Sequence, residues 1–531
     1  MAQRPILVRG ADLLDGTGTP ARPADILIRD GVVVAVDAPG VLPTGDAVEV
    51  LDAGGRTVTP GFIDVHSHAD NAPFLGDDDV SKILQGVTTE VVGNCGFSLA
   101  PRLDATGGVI EDYSRRIFPP VPWAWRTFAE LLAATDAAGY VTNYAPLAGH
   151  HALRIAAMGM SDQAPDADQL DLMGRLLDEA MEAGAFGLSS GLIYPPGLFS
   201  ETDELLTLAR RLPAGRPYVT HMRGEGAQLL ASVAEAIRIG EESGRPVQVS
   251  HLKAAGKPNW GLMTEAIALL DAARARGVAV RHDVYPYTAG STMLTATLPP
   301  WFQEGGEPSV LRRLTDPVSL DRLRADLAVN STDWENLSYG AGWDGVVIAS
   351  SATHTYDGLS IQDVAAQSGG EPFDALVRVL LAEELKVSMI VHSMREEDLV
   401  LALTHPETMI GSDGLPPGLG GKPHPRMWGT FPRILARYVR DQGHLTLAEA
   451  VRKMTSLPAE TFGLADRGVV APGRAADLVA FDAGTVTDRA DYEHSTRAPE
   501  GIAWVIQNGE VVVRDGTFLG RRAGRRLLPE G

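Results

Sequence analysis

The chain has 531 residues, 44% of them hydrophobic and 21% charged, a make-up that fits an ordinary globular protein with a large core. Its net charge of −22 argues against nucleic acid, whose phosphates call for basic patches. The single cysteine excludes an internal disulfide and no apolar run reaches membrane-span length; with no apolar leader in Met1–Asp15, the expected compartment is the cytoplasm.

Residues 1–54 read as short strands, Ile6–Val8, Ala24–Ile28 and Gly31–Val36, punctuated by Gly and Pro. Pro60–Val65 is a largely apolar strand that runs into His66-Ser67-His68. Residues two apart on a strand face the same way, so both imidazoles can grip one ion. Further strand-like runs end at Asn94 (just before Cys95), Leu147, Ser189, His221, His251, Asp283 and Ser412, the last followed by Asp413. Helical patterns fall between them, at Asp168–Glu182, Asp203–Arg211, Ala227–Glu242 and Thr264–Arg276, with Gly184, Gly244 and Gly277 as stop signals.

Eight strands alternating with helices predict an α/β fold, a (β/α)8 TIM-like barrel over 55–467. Residues 286–345 interrupt the rhythm. They read as irregular, with a short helix near Ser319–Val329, and as a lid-like insertion over the pocket. Beyond 468 the strand style returns, in Ala476–Phe481 and Trp504–Val513, with Asn508-Gly509 as a hairpin turn. The two ends together, 1–54 and 468–531, predict a small β-sandwich domain.

Active sites of such barrels lie at the C-terminal ends of the strands. His66, His68, Cys95, His221, His251 and Asp413 each close a predicted strand there. Taken singly, each histidine and Asp413 is more often a satisfied polar residue, and a lone cysteine a small buried hydrophobe. Their shared placement points to a catalytic zinc centre, because zinc accepts mixed sulfur, nitrogen and oxygen ligands. Asp413 is placed to take a proton from activated water and deliver it to a leaving amine; a purely ligating role is the alternative. Tyr194, in a loop stiffened by Pro195 and Pro196, is placed to hydrogen-bond an oxyanion, with a packed loop aromatic as the alternative. Lys253 follows His251 by two residues and lies near the pocket by construction. Of the 13 histidines, His150 and His151 end the third strand and are placed to line the site.

The order His-x-His, His, His, Asp after strands one, five, six and eight resembles the amidohydrolase superfamily. Many of its members bridge two metals with a carboxylated lysine from strand four. This chain has no lysine between Lys82 and Lys253, which leaves Cys95 as the available substitute. A cysteine at that place resembles the D-aminoacylase (N-acyl-D-amino-acid deacylase) branch. The likeness runs through Gly86-Val87-Thr88-Thr89, Gly93-Asn94-Cys95-Gly96, Gly187–Pro196, Thr220–Arg223, Ser250–Lys253, Tyr285-Pro286-Tyr287, Gly411–Gly414 and His424-Pro425-Arg426, nearly the whole chain.

That resemblance implies zinc-dependent hydrolysis of N-acyl-D-amino acids to a carboxylate and a free D-amino acid. It implies one tight zinc on Cys95, His221 and His251, and a second, weaker divalent-metal position at His66, His68 and Asp413. It also implies a clamp for the substrate carboxylate at Lys253, Tyr285, Ser291 and Arg426, with His424 orienting Arg426. Arg223 is a further candidate, with pairing to Glu225 as the alternative. Glutamate-specific relatives carry an arginine after the position of Ser291. Here Thr292–Trp301 holds no cation, so neutral, mainly apolar side chains are expected. Two other readings stay open: ring opening of a cyclic amide, against which the missing strand-four lysine counts, and a non-catalytic zinc scaffold, against which the intact ligand set counts. The expected partner is a small molecule, with no nucleic acid and no membrane; monomer and homodimer stay open.

Overall fold

The computed structural model describes residues 4–43, 48–115, 117–119, 121–415 and 420–529. Residues 1–3, 44–47, 530 and 531 of the expected terminal segments lie outside these. The chain is an α/β protein. Eight parallel strand positions follow in order: β1 (Phe62–Asp64), β2 (Val87–Val92), β3 (Asn143–Pro146, continued by Ala148–Gly149), β4 (Leu188–Gly191), β5 (Tyr218–His221), β6 (Val247–Val249), β7 (Val280–Val284) and β8 (Thr408–Ile410).

Strands β1, β2 and β3 pair in parallel, and the run from Ala148–Gly149 through β7 to β8 is a second parallel sheet. Beyond β8, Ser67 bridges Gly414 in parallel, so the first and last strand exits are neighbours. One face of these strands packs Ile63, Val91, Ala145, Phe186, Val219 and Met409 into a buried cluster. Each of the larger side chains stabilises the fold by about 1.5–3 kcal/mol relative to exposure. Helices 167–183, 202–211, 229–243 and 263–275 cover the other face, close to their predicted spans.

The two chain ends share one sheet of nine strands. Its centre pairs Leu478–Phe481 with Thr57–Pro60, a strand just past the expected boundary at 54. Asn508 and Gly509 both take positive φ, 48° and 83°, as a two-residue hairpin turn between Ile502–Gln507 and Glu510–Arg514 requires.

The segment after β7 is not irregular. It contains strand Gly290–Met293 and helices Pro300–Gln303, Glu307–Arg313, Pro317–Leu327 and Leu337–Ala341. Pro300, Pro308 and Pro317 sit in first turns, where the missing N–H is harmless, so here proline starts helices. The insertion also runs past 345, because Gly290–Met293 completes an antiparallel sheet with Val346–Ser351 and Val387–Val391.

His150 and His151 open the helix His150–Met158 and do not line the central cavity. His150 Nε2 lies 2.7 Å from Glu204 Oε1, and Glu204 also pairs with the fully buried Arg154. His151 instead joins Tyr113 to the Gly191 carbonyl. Arg154→Met should leave the buried Glu204 carboxylate with His150 but no fixed positive charge, and destabilise the protein by about 3–5 kcal/mol. Urea unfolding measures this, and a loss under about 1 kcal/mol contradicts it.

Candidate metal centre

Three of the predicted ligands sit on strained backbone. Cys95, His251 and Asp413 have φ of 54°, 35° and 50°, a left-handed region that non-glycine residues avoid. Each such residue costs about 1–3 kcal/mol, which the surrounding packing must offset. Glycine makes room for the thiol's turn: a Cβ on Gly191 would lie 2.1 Å from the Cys95 carbonyl oxygen. Just after Cys95, Gly96 takes φ 78°, and a Cβ there would strike the His151 ring.

The strand exits bring the six predicted ligands together. Cys95 Sγ lies 3.2 Å from His66 Nε2 and 3.7 Å from His251 Nε2. The second distance matches the roughly 3.6 Å expected of a sulfur and a nitrogen sharing one tetrahedral zinc. Asp413 Oδ1 lies 3.1 Å from His68 Nε2 and 3.5 Å from His66 Nε2. Ligand atoms of His66, Cys95, His251 and Asp413 fall within 4.8 Å of one another, and so do those of His221, Glu225 and His251.

These distance sets overlap both ligand groups expected on sequence. His251 belongs to both sets, and His66 reaches Cys95 more closely than His251 does. Glu225, expected only as a partner for Arg223, joins the second set. Its Oε2 is 3.7 Å from His221 Nε2, and its Oε1 is 2.8 Å from His251 Nδ1.

The electrostatics ask for a cation. Burial opposes ionisation of Cys95, but the neighbouring imidazoles of His66, His221 and His251 hold the thiol well below its ordinary range. Burial likewise opposes charge on Asp413, yet Arg426 and His66 keep its carboxyl well below the usual range. His66 is driven the other way: Cys95, Asp283 and Asp413 outweigh burial and raise it well above 6.5. Both nitrogens of His221 are buried without a hydrogen-bond partner among the described residues. Anionic sulfur and oxygen, crowded imidazoles and orphaned ring nitrogens fit a divalent metal such as zinc.

The remaining candidates divide. A cavity of ≈ 60 Å³ is lined by His68, Cys95, Tyr194, His221, Lys253, Tyr285, Ser291 and Asp413. Tyr194 packs edge-on against His221, with its hydroxyl 2.8 Å from Thr292 Oγ1. Lys253 Nζ lies 2.5 Å from Glu225 Oε1 and 2.7 Å from His251 Nδ1.

Arg426 lines an adjoining cavity of ≈ 140 Å³ that shares Ser291, Ser388 and Leu415 with the first. Its Nη1 lies 2.8 Å from Asp413 Oδ2, a close ion pair not aligned as a hydrogen bond, and its Nη2 donates to the Ser291 carbonyl. His424 Nδ1 accepts the Arg426 backbone N–H, at 3.0 Å.

Arg223 stands apart. Its guanidinium is held by Glu235, not Glu225, and by the Leu198 and Ser200 carbonyls, so it does not line the central cavity.

Two carboxylates escaped the sequence reading. Asp283 accepts the His251 N–H and lies 3.3 Å from His66 Nδ1. Glu335 comes from the insertion, lines the same cavity and accepts the Glu225 N–H. Burial and the Glu225 charge raise its carboxyl to about 7. Glu225 left one sequence signal, its place four residues after strand-end His221 between Gly224 and Gly226.

The fold and this cluster together define a metal-site α/β protein, and comparison with known proteins gives the class its family. Residues 49–513 match the family model described as the amidohydrolase family, and the chain belongs to that family. It is 37% identical to D-aminoacylase of Alcaligenes xylosoxydans xylosoxydans, over 98% of this chain and 97% of that one. A solved D-aminoacylase, described for its binuclear metal centre with one-metal activation and second-metal attenuation, is 36% identical. It matches at TM-score 0.82 over 99% of each chain. The N-acyl-D-glutamate deacylase of Bordetella bronchiseptica, complexed with zinc and a phosphonate mimic of the tetrahedral intermediate, is 36% identical. It matches at TM-score 0.81 over 98% of this chain and 99% of that one.

Proposed function

We propose that this chain is a zinc-dependent N-acyl-D-amino-acid deacylase that prefers neutral, mainly apolar side chains. One observation carries the reading: the thiol of Cys95 and the imidazole of His251 face each other 3.7 Å apart at one end of a buried cavity. The named relatives support the reaction and the D configuration. Ring opening of a cyclic amide is the weaker reading, because no lysine is available on β4.

Strand order supports reading the core as a closed (β/α)8 barrel, with the chain up to Pro60 and the segment 468–531 as a small β domain built on one shared sheet. The insertion then acts as a lid, since it supplies Ser291, Thr292, Met293, Glu335 and Leu337 to the cavity wall. Among the described residues no helix is long and apolar enough to cross a membrane. A small-molecule substrate in the cytoplasm fits.

Zinc held by Cys95, His221 and His251 would supply Lewis acidity, activating a water and polarising the amide carbonyl. His66, His68 and Asp413 would hold a second, weaker ion. The chain's own groups do the rest. Asp413 Oδ1 faces the imidazoles and takes the water's proton, then returns it to the leaving nitrogen. Tyr194 keeps its proton at working pH, because burial and the Cys95 charge push its hydroxyl well above 10, so it can donate to the oxyanion.

Lys253, Tyr285 and Ser291 receive the substrate carboxylate. Arg426 is better read as the partner that orients Asp413 than as a free clamp. Phe97, Ile117, Ile193, Met293 and Leu415 give the cavity its apolar wall.

A panel of N-acetyl-D-amino acids tests the substrate. N-acetyl-D-leucine and N-acetyl-D-methionine should exceed N-acetyl-D-glutamate in kcat/KM by about tenfold or more, since an apolar wall leaves a second carboxylate unpaired. A preference for N-acetyl-D-glutamate would sink the side-chain reading, and activity on N-acetyl-L-leucine alone would sink the whole proposal.

A further inference from the structure

Lys82 is 3% exposed, yet its Nζ is surrounded by four oxygens. Asp64 Oδ2 lies at 2.7 Å, Ser412 Oγ at 2.8 Å, and Ser67 Oγ and Glu90 Oε2 at 3.2 Å each. Asp64, Ser67 and Ser412 lie within two residues of a candidate ligand. Asp64 also accepts the backbone N–H of His66 (3.1 Å) and that of Ser412 (2.8 Å). Ser67 lies between His66 and His68 and donates to Glu90 at 2.6 Å. Ser412 precedes Asp413, and its hydroxyl donates to Asp64 at 2.6 Å. Glu90 lies on β2, the strand that leads to Cys95, and accepts Thr142 Oγ1 just before β3.

We infer that Lys82 is a positioning residue for the metal centre. Its ammonium ties the exits of β1, β2 and β8, the three places where His66 and His68, Cys95, and Asp413 leave the strands. The β1 and β8 exits meet beside it: Asp413 N donates to the His66 carbonyl and His68 N to the Gly414 carbonyl. Without the cation, Asp64 and Glu90 are two buried carboxylates about one missing charge. Their repulsion would spread the exits and carry the ligands with them. Groups behind a metal's direct ligands typically change its affinity about 10–100-fold.

The inference rests on the metal reading above, and its test separates the two. Zinc affinity of the full-length protein is measured by chelator competition for wild type, Lys82→Met, Lys82→Arg and Arg154→Met. Lys82→Met should bind zinc about 10–100-fold more weakly. It should also alter the thiolate-to-metal absorption of the cobalt-substituted protein. Lys82→Arg, which keeps the charge, should recover part of the affinity. Arg154→Met breaks an equally buried ion pair away from the cavity, and should lose stability while keeping zinc affinity within about twofold.

A folded Lys82→Met that binds zinc within about threefold of wild type overturns the role of Lys82. So does an Arg154→Met that loses as much affinity, since general loosening would then explain both. If Lys82→Met does not fold, Ser412→Ala decides: affinity lowered about threefold or more supports the tie, and unchanged affinity overturns it. A wild-type protein that binds no zinc overturns the metal reading itself.

Discussion

Cys95→Ser is expected to lose zinc affinity by more than about 100-fold, and amide hydrolysis with it. The exchange keeps the side chain's size, so it asks a question about charge alone. A serine hydroxyl cannot ionise where a thiol can, and the surroundings of Cys95 are built for its anion. Burial alone would keep the thiol protonated, yet His66, His221 and His251 overcome it. The backbone supports the same role, because the residue holds φ 54° in a turn where Gly93 and Gly96 also take positive φ. A cysteine serving only as a small apolar filler needs neither arrangement. Metal content by elemental analysis and kcat/KM on N-acetyl-D-leucine are the two measurements. A Cys95→Ser protein with one full equivalent of zinc and kcat/KM within about tenfold of wild type would remove the thiolate from the centre.

The ligand pattern was legible because strand period and strand ends are local properties. Two histidines at i and i+2, and single residues closing β-branched runs, keep that meaning in any fold of this kind. Helix spans followed from apolar spacing for the same reason. What stayed hidden was pairing between distant segments. Arg223, with Glu225 as its alternative partner, and Arg426 both read as candidates for the substrate carboxylate. Only the folded chain shows that Glu235 holds the first and Asp413 the second.

Asp283 was read as a strand end and not as the carboxylate behind His66 and His251, since 32 residues separate it from the amide it accepts. Lys82 carried no sequence signal: one lysine before an apolar run resembles any surface lysine until Asp64 and Ser412 close on it. The insertion failed for a different reason. Proline marks breaks and helix starts alike, and only the hydrogen bonds that follow tell which.

Asp413→Asn should lower kcat by about 10²–10⁴-fold, equivalent to about 2.7–5.5 kcal/mol of transition-state stabilisation, and change KM far less. The amide keeps the carboxylate's shape and an oxygen toward His66 and His68, but it cannot carry a proton from water to the leaving nitrogen. It also loses the charge that Arg426 meets at 2.8 Å. That pairing is why Asp413 is ionised throughout the neutral range: burial favours the acid, and Arg426 and His66 reverse the preference.

Two roles for Asp413 then give different results. If it only ligates, zinc content and kcat fall together, and added zinc restores the rate. If it carries the proton, zinc on the Cys95 side stays bound, kcat falls, and added zinc does not restore it. Arg426→Lys supplies the cross-check. It keeps the charge but not the reach to the Ser291 carbonyl, so a base that depends on being aimed should lose about tenfold in kcat with zinc unchanged. An Asp413→Asn protein that retains kcat within about tenfold of wild type would exclude this carboxylate from proton transfer, and Glu225 would become the group to test.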